Sequence, residues 1–425
     1  MTIVIVLLSF IAVLLSMLIN KDLFAPSKWY LLSLIVYFFD IYLTQQYEII
    51  YFIYIIFLLI GILFVFLEKK LIGKSYSYIE NKKKAYINEK KILLILLVIS
   101  LIPIFAQLYL IFMMGGFLEY MISLKLRVVE WQGVGYILLL IKIFPIVNMF
   151  FLLLGLTFNI KHKRIWWGLF FFHLLIMLSL GLLSGSRGGT LFGIVYIIIG
   201  LHYFVKKITF SKILIIIFSF LLVASFLEVM RNNFKYSDEG FESNTDNIEL
   251  SNTKLTSYGL TPLNIILEKD YSEYKYGLTF ISAFTNIIPR SIWSDKPDTG
   301  GVVLTRFRAG ASNYTGTSNY SPGIFTESIL NYGYFFGPVV AVFIMLLFIL
   351  FSIYVYRYFL HKITLPTQNM DKIKITYYYF LTMTIPGGLL YGEFTNILFN
   401  LYLKLIIFFI LFFLINKAIK IRGVC

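Results

Sequence analysis

The stretch SGSRGG at residues 184–189 sets Arg187 among glycines and serines, between two strongly apolar runs. The glycines let the backbone turn tightly and leave its N–H groups accessible. These groups, together with the positive end of a following helix, favour an anion. A guanidinium adds two parallel donors that match phosphate oxygens. We therefore predict an anion site that includes Ser186, Arg187 and Gly188. The alternative is an interfacial arginine whose charge simply reaches for water.

A second group of charged and aromatic residues lies in GLTFISAFTNIIPRSIWSDKPDTGG at 277–301 and RFRAGASNYTGTSNYSPG at 306–323. Aromatic rings offer an apolar face on which a sugar can stack, while polar groups around them take its hydroxyls. The alternative for any single aromatic residue is anchoring at the level of the lipid headgroups. In this region Arg290 is a candidate catalytic residue, and the candidate substrate-binding residues are Trp293, Asp295, Lys296, Arg306 and Arg308.

Carboxylates supply the third kind of candidate. Glu327 lies in SPGIFTESILNYGYFFGP at 321–338, and Asn331 follows one helical turn later on the same face. A partly buried carboxylate there could act as a general base, or it could simply favour the start of a helix. Glu393, in the short stretch YGEFTN, is a second carboxylate of the same kind.

The elements that position these residues are membrane helices. Of 425 residues, 59% are hydrophobic and only 14% are charged, and the apolar residues come in long blocks. Because backbone polar groups in lipid must be satisfied internally, these blocks are predicted to be helices. We predict an all-α polytopic membrane protein with eleven spans, at about 2–19, 29–44, 49–67, 92–114, 135–156, 166–183, 189–205, 213–230, 335–356, 375–391 and 397–415.

The distribution of lysine and arginine predicts the orientation. Alternation of the eleven spans places 23 of these residues in short loops on one side and three on the other. Cytoplasmic loops collect Lys and Arg, so we predict an external N-terminus and a cytoplasmic C-terminus. The net charge of +15 then needs no nucleic-acid partner. The predicted organisation is spans one to eight in 1–230, a large external loop at 231–325, and spans nine to eleven in 326–425.

The external loop is predicted to have two parts. Residues 237–254 are acidic and polar, which favours a mobile segment. From about 256 onward we expect ordered, mostly irregular structure, with a short helix in LTPLNIILEKDY. The loop contains no histidine, and the sole cysteine is Cys425. We therefore predict no catalytic metal and no cofactor.

The stretches GSRGG, IIPRSIWSDKP and FTESILNYGYFFG, in this order, resemble the Wzy-type oligosaccharide repeat-unit polymerases of bacterial O-antigen and capsule synthesis. The resemblance covers about 180–338 and the general layout of the spans. It implies a GT-C-like glycosyltransferase in the bacterial cytoplasmic (inner) membrane, with its site at the outer surface. Its implied partners are a polyprenyl-pyrophosphate-linked oligosaccharide, the lipid bilayer and a chain-length regulator.

The resemblance also implies roles. Arg187 would hold a pyrophosphate, Arg290 and less directly Arg306 and Arg308 would hold the second lipid-linked substrate, and Glu327 would deprotonate the acceptor hydroxyl. Two other functions stay open. O-antigen ligases have a similar layout but tend to carry a histidine in the large loop. A flippase or exporter of lipid-linked glycans would carry charge within many spans.

Overall fold

The computed structural model describes residues 2–42, 47–72, 86–123, 131, 134–183, 187–209, 211–212, 234–237, 240–243, 259–288, 290, 292–310, 320–365 and 369–420. This part of the chain is helical except for one short hairpin.

The first half of the described chain contains α1 (Thr2–Ile19), α2 (Pro26–Tyr37), α3 (Glu48–Ile72), α4 (Glu89–Met113), α5 (Phe117–Ser123), α6 (Gly135–Ile141), α7 (Ile143–Thr157), α8 (Lys163–Leu183) and α9 (Arg187–Phe204). The second half contains strands β1 (Phe234–Ser237) and β2 (Gly240–Ser243), then α10 (Leu260–Glu268), α11 (Leu278–Thr285), α12 (Gly300–Ala309), α13 (Gly323–Thr364), α14 (Asn369–Thr382), α15 (Ile385–Leu389) and α16 (Phe394–Lys420).

Seven helical stretches among the described residues are long and apolar enough to cross a membrane. They are α1, α3, α4, the consecutive pair α6–α7, α8, α13 and α16. About 20 apolar residues span a bilayer core, so the chain is a polytopic helical membrane protein, as the sequence predicts.

The other four predicted spans are shorter or lie outside the described residues. Helix α2 has 12 residues and is followed by a 3₁₀ turn at Phe39–Tyr42. In α9, which has 18 residues, the part whose side chains are described is the apolar stretch Gly193–Phe204. The predicted tenth span is divided between α14 and α15. The predicted eighth span, 213–230, lies outside the described residues.

The chain divides into two compact units. One consists of Met1–Ser77 and Thr256–Ile406, and the other of Tyr78–Leu255 and Ile407–Cys425. The first unit contains a core in which α3 packs against α1, α2 and α13. The second contains a buried polar contact in the membrane-crossing helices, where the imidazole of His173 lies 3.1 Å from Asn148 Oδ1 and 3.0 Å from Ser100 Oγ.

The predicted external loop is described in part. In the acidic segment, Ser237 and Gly240–Ser243 belong to a hairpin in which Phe234 is paired with Ser243; the remainder lies outside the described residues, and the expected mobility stays a prediction. The expectation of mostly irregular structure after 256 is wrong for the described residues. The predicted helix in LTPLNIILEKDY is present as α10, but α11 and α12 are helical too.

The predicted ninth span is part of a longer helix with a break. Helix α13 begins at Gly323, twelve residues before the predicted start, and Gly333 has a non-helical backbone with φ 77° and ψ 178°. A side chain fits poorly there, because a Cβ at Gly333 would lie 2.9 Å from the ring of Tyr274. The break separates a short first segment, 323–332, from the long apolar remainder.

Candidate functional site

Glu327 joins three segments of the first unit. It lies in the first segment of α13 and is 0% exposed. One carboxylate oxygen accepts a hydrogen bond from the Thr279 hydroxyl at 3.0 Å, and the other accepts from the Phe394 N–H at 2.8 Å. A buried carboxylate needs such partners, and these come from the starts of α11 and α16. The Glu327 side chain was predicted to be partly buried, and in the structure it is fully buried.

Asn331 lies on the same face of α13, as its spacing from Glu327 predicts. Its side-chain N–H groups donate to the Glu327 carbonyl at 2.7 Å and to Thr279 Oγ1 at 2.6 Å. Its side-chain oxygen accepts from the Gly277 N–H at 2.9 Å. Gly277 immediately precedes α11, whose first N–H groups have no partner within the helix. Asn331 therefore caps α11 from a distant position in the chain.

The break in α13 adds backbone bonds to this arrangement. A helix interrupted at Gly333 leaves preceding carbonyl groups without their usual partners. The carbonyl groups of Leu330 and Asn331 accept from the N–H groups of Lys275 and Tyr276, each at 2.9 Å. The first segment of α13 and the start of α11 are thus joined by both backbone and side-chain bonds.

Glu393 holds the start of α12. One of its oxygens accepts from the Gly301 N–H at 2.7 Å, and the other accepts from Asn396 Nδ2 at 2.6 Å. A carboxylate near a helix N-terminus is electrostatically favourable. Burial nevertheless raises the pKa of Glu393, because desolvation outweighs the hydrogen bonds that lower it.

Two consecutive glycines bring the two carboxylates to the same helix start. A Cβ at Gly300 would lie 2.8 Å from Glu327 Cδ and Oε1, while a Cβ at Gly301 would lie 3.3 Å from Glu393 Oε1. The first turn of α12 therefore packs directly on both acids. Glu327 and Glu393 are far apart in sequence and were predicted as separate candidates, whereas they form a single site in the structure.

Two of the predicted arginines converge on an aspartate that the sequence analysis missed. Arg290 Nη2 and Arg306 Nη1 each lie 2.5 Å from a different oxygen of Asp298. Arg290 also donates to the carbonyl groups of Ser294 and Lys296, at 2.9 and 3.2 Å. Both arginine side chains remain partly exposed, at 50% and 37%. Since Asp298 lies two residues before α12, this pair is connected through the chain to the carboxylates.

The other predicted binding residues have separate partners. Lys296 Nζ donates to the Ile288 carbonyl at 2.7 Å, and its pKa is lowered by burial and then by the Arg290 charge. Arg308 stacks on the Tyr320 ring, 4.4 Å from its centroid. Asp295 accepts from the Ser294 hydroxyl at 3.1 Å, and Trp293 is 41% exposed. These residues lie near Arg290 and Arg306 in the sequence, but their described contacts are with other partners than Asp298.

The glycine-rich stretch belongs to the second unit. Helix α8 ends at Leu183 and α9 begins at Arg187, so the predicted helix junction is present and Arg187 stands in the first turn. Gly188 follows within α9, while Ser186 lies outside the described residues. The predicted anion role of these residues stays a prediction.

The site thus combines two features with different chemical abilities. The buried carboxylates could accept a proton from a hydroxyl that reaches them. The partly exposed guanidinium groups could bind oxygens of an anion while Asp298 fixes their orientation.

The sequence analysis missed Thr279, Asp298, Gly300 and Gly301. The signal available for three of them was the sequence DTGG at 298–301, where α12 begins. No family model, curated protein or solved structure matches this chain.

Proposed function

We propose that this chain joins polyprenyl-pyrophosphate-linked oligosaccharide repeat units into O-antigen or capsular polysaccharide at the outer face of a bacterial cytoplasmic membrane. The observation that carries the proposal is the convergence of separate stretches at the start of α12. Asp298, from the stretch after Trp293, lies two residues before the glycines that contact Glu327 and Glu393. Asp298 in turn holds Arg290 and Arg306.

The proposed topology retains eleven crossings with an external N-terminus and a cytoplasmic C-terminus. In this arrangement α2, α9, the α14–α15 pair and residues 213–230 complete the crossings beyond the seven long helical stretches. The charge difference between the short loops supports the orientation. In the proposed orientation, the starts of α13 and α16, with Glu327 and Glu393, lie on the external side.

The guanidinium groups are suited to the pyrophosphate of a lipid-linked substrate. During transfer, the bond between the anomeric carbon and the pyrophosphate oxygen breaks, and the electron pair stays with the leaving pyrophosphate. Fixed positive groups stabilise the charge that develops there, and in this proposal Arg187 binds this leaving pyrophosphate, which belongs to the growing chain. Arg290 and Arg306, with Arg308, Lys296, Asp295 and Trp293 nearby, bind the incoming lipid-linked unit, whose pyrophosphate bond stays intact.

Glu327 is the proposed base. The acceptor hydroxyl oxygen forms the new bond to the anomeric carbon, and its proton passes to the carboxylate. No part of Glu327 is exposed, so an acceptor reaches it only when a surrounding segment moves, and the proposal assigns this movement to the first turn of α12. Gly300 and Gly301, which cover the two acids, give that turn the smallest possible side chains. Glu393, which contacts the same turn of α12, is the alternative base.

Polymer formation by the purified protein tests the proposal. The full chain in vesicles, supplied only with lipid-linked repeat units, is expected to produce a ladder of products that differ by one unit. A ligase would leave these units unjoined and act only when a lipid A core acceptor is added. A flippase would move them across the bilayer without joining them. Either result contradicts the proposal.

Arg290→Lys is expected to lower polymer formation about 10- to 100-fold, the effect of losing a charge-assisted hydrogen bond. Lysine keeps the charge, but its single ammonium group lacks the planar set of N–H donors with which the guanidinium contacts Asp298 and the carbonyl groups of Ser294 and Lys296 together. The matched control is Arg357→Lys, an exposed arginine near the other end of α13. Equal rates for both variants would mean that the contact with Asp298 has no part in the reaction.

Arg187→Lys is likewise expected to remove most activity while the protein remains at normal abundance. The reason is the proposed two-pronged contact with phosphate oxygens at the start of α9. Polymer yield per molecule of purified protein is the measurement. Full activity of the lysine variant would identify Arg187 as an interfacial anchor.

A further inference from the structure

Helix α11 has the opposite polarity to a helix on a water-exposed surface. Its buried face carries Thr279 and Ser282, which are 0% and 1% exposed. Its outer face carries Leu278, Ile281 and Phe284, which are 47%, 49% and 68% exposed. A helix at a water surface places its apolar residues inward. The outer face of α11 therefore fits an apolar surrounding.

The apolar surface continues beyond the helix. Ile287 and Ile292 are 60% and 78% exposed, and Trp293 is partly exposed. Single exposed apolar residues are ordinary, but a run at successive helical spacings followed by further apolar residues indicates a surface that contacts something.

The position of α11 beside α16 identifies the surrounding. The Thr395 hydroxyl, in the first turn of α16, donates to the Thr279 carbonyl at 3.0 Å. The Tyr402 hydroxyl donates to the Ala283 carbonyl at 2.9 Å. Tyr402 lies about 10 Å further along the axis of α16 than Thr395. Helix α11 thus runs along a membrane-crossing helix in the direction of the crossing, and its end lies deeper than its beginning.

The backbone carbonyl groups after α11 also have hydrogen-bond partners within the protein, as an apolar surrounding requires. Carbonyl groups at a helix end need internal partners in lipid. Lys296 Nζ supplies one by donating to the Ile288 carbonyl, and the Ile288 N–H donates to the Thr285 carbonyl at 3.0 Å. Arg290 donates to the carbonyl groups on the returning segment, as described above. Long basic side chains can keep their charge near the headgroups while their stems lie in lipid.

We propose that residues 278–288 and 292–293 form a re-entrant segment, which enters the leaflet where α16 begins and returns to the same surface. Its apolar face contacts the acyl chains of that leaflet. The sequence analysis assigned these residues to the large external loop, with anchoring at the headgroups as the alternative for its aromatic residues. The proposal does not depend on the reaction, because it follows from exposure and from contacts with α16.

Spin labels on the full-length protein in phospholipid vesicles test this placement. The labels are attached to Ile281→Cys and Phe284→Cys in a Cys425→Ser background. Glu268→Cys, at the exposed end of α10, is the control for water, and Ile406→Cys, on the exposed side of α16, is the control for lipid. Collision rates with oxygen, which concentrates in lipid, and with a water-soluble nickel chelate are compared.

We expect the ratio of oxygen to nickel collisions at 281 and 284 to match that at 406 and to exceed that at 268 several-fold. A ratio like that at 268 would overturn the proposal, because the segment would then lie in water. Protection from both reagents would also overturn it, because a protein partner, such as a second copy of this chain, would then cover the face. If a label at 284 prevents folding, Ile287→Cys provides the same comparison at the deep end.

Discussion

Replacing Glu327 with glutamine is expected to lower the rate of polymer formation by about 10² to 10⁴ at equal protein abundance, the usual cost of losing a general base. The glutamine oxygen can still accept from the Phe394 N–H, and its amide can donate to Thr279. One hydrogen bond of the carboxylate is then rearranged, which costs about 1 kcal/mol of stability. The expected loss of rate is therefore much larger than the expected loss of protein.

Two glutamine variants serve as controls. Glu68 is also 0% exposed, and its oxygens accept from the Ser27 N–H at 3.0 Å and from the Asn20 side chain. Because it lies near the end of α3, outside the site, Glu68→Gln should lower stability by a similar amount and leave the rate unchanged. Glu393→Gln tests the alternative base. An inactive Glu393 variant beside an active Glu327 variant would transfer the role to Glu393, and two active variants would exclude a carboxylate base.

Gly300→Ala is expected to destabilise the protein by about 1–3 kcal/mol through overpacking and to abolish most polymer formation. The added Cβ would lie 2.8 Å from the Glu327 carboxylate, which two hydrogen bonds hold in place. The start of α12 must then shift, and Asp298 with its two arginines must shift with it. Thermal unfolding in detergent and polymer yield are the two measurements.

The control for this substitution is Gly168→Ala. Gly168 lies within α8, and no heavy atom lies within 4 Å of its Cβ position. Alanine there is expected to be neutral or to stabilise by up to about 1 kcal/mol, because glycine is a poor helix former. A Gly300 variant as stable and active as this control would show that the contact between α12 and Glu327 has no consequence.

The membrane helices could be predicted because their signal is local. A run of about 20 apolar residues suffices for a crossing, and α1, α3 and α4 are such runs. The relation between Glu327 and Asn331 was also local, because residues four apart share a helix face.

The rest of the site depends on contacts between distant residues. Helix α11 is capped by Asn331 and the start of α12 is bound by Glu393, so both helix starts depend on residues that are distant in the sequence. Asp298 could not be distinguished from the neighbouring aspartate until the fold brought Arg306 beside it. The break at Gly333 was likewise hidden, because a single glycine just before the predicted ninth span does not by itself indicate a break, and its close contact with Tyr274 comes from packing between distant residues.

That break ties two sides of the site together. The carbonyl groups before it accept hydrogen bonds from residues 275 and 276, and Asn331 binds the start of α11, so the first segment of α13 and α11 are joined by backbone and side-chain bonds. Helix α12 contacts the acids through Thr299, the Gly301 N–H and the close fit of Gly300, and Leu304 anchors the same helix in the core. The residues just before α12 also include the aspartate that holds both arginines. A ligand bound by the arginines is therefore linked to both acids through one short segment, 298–301.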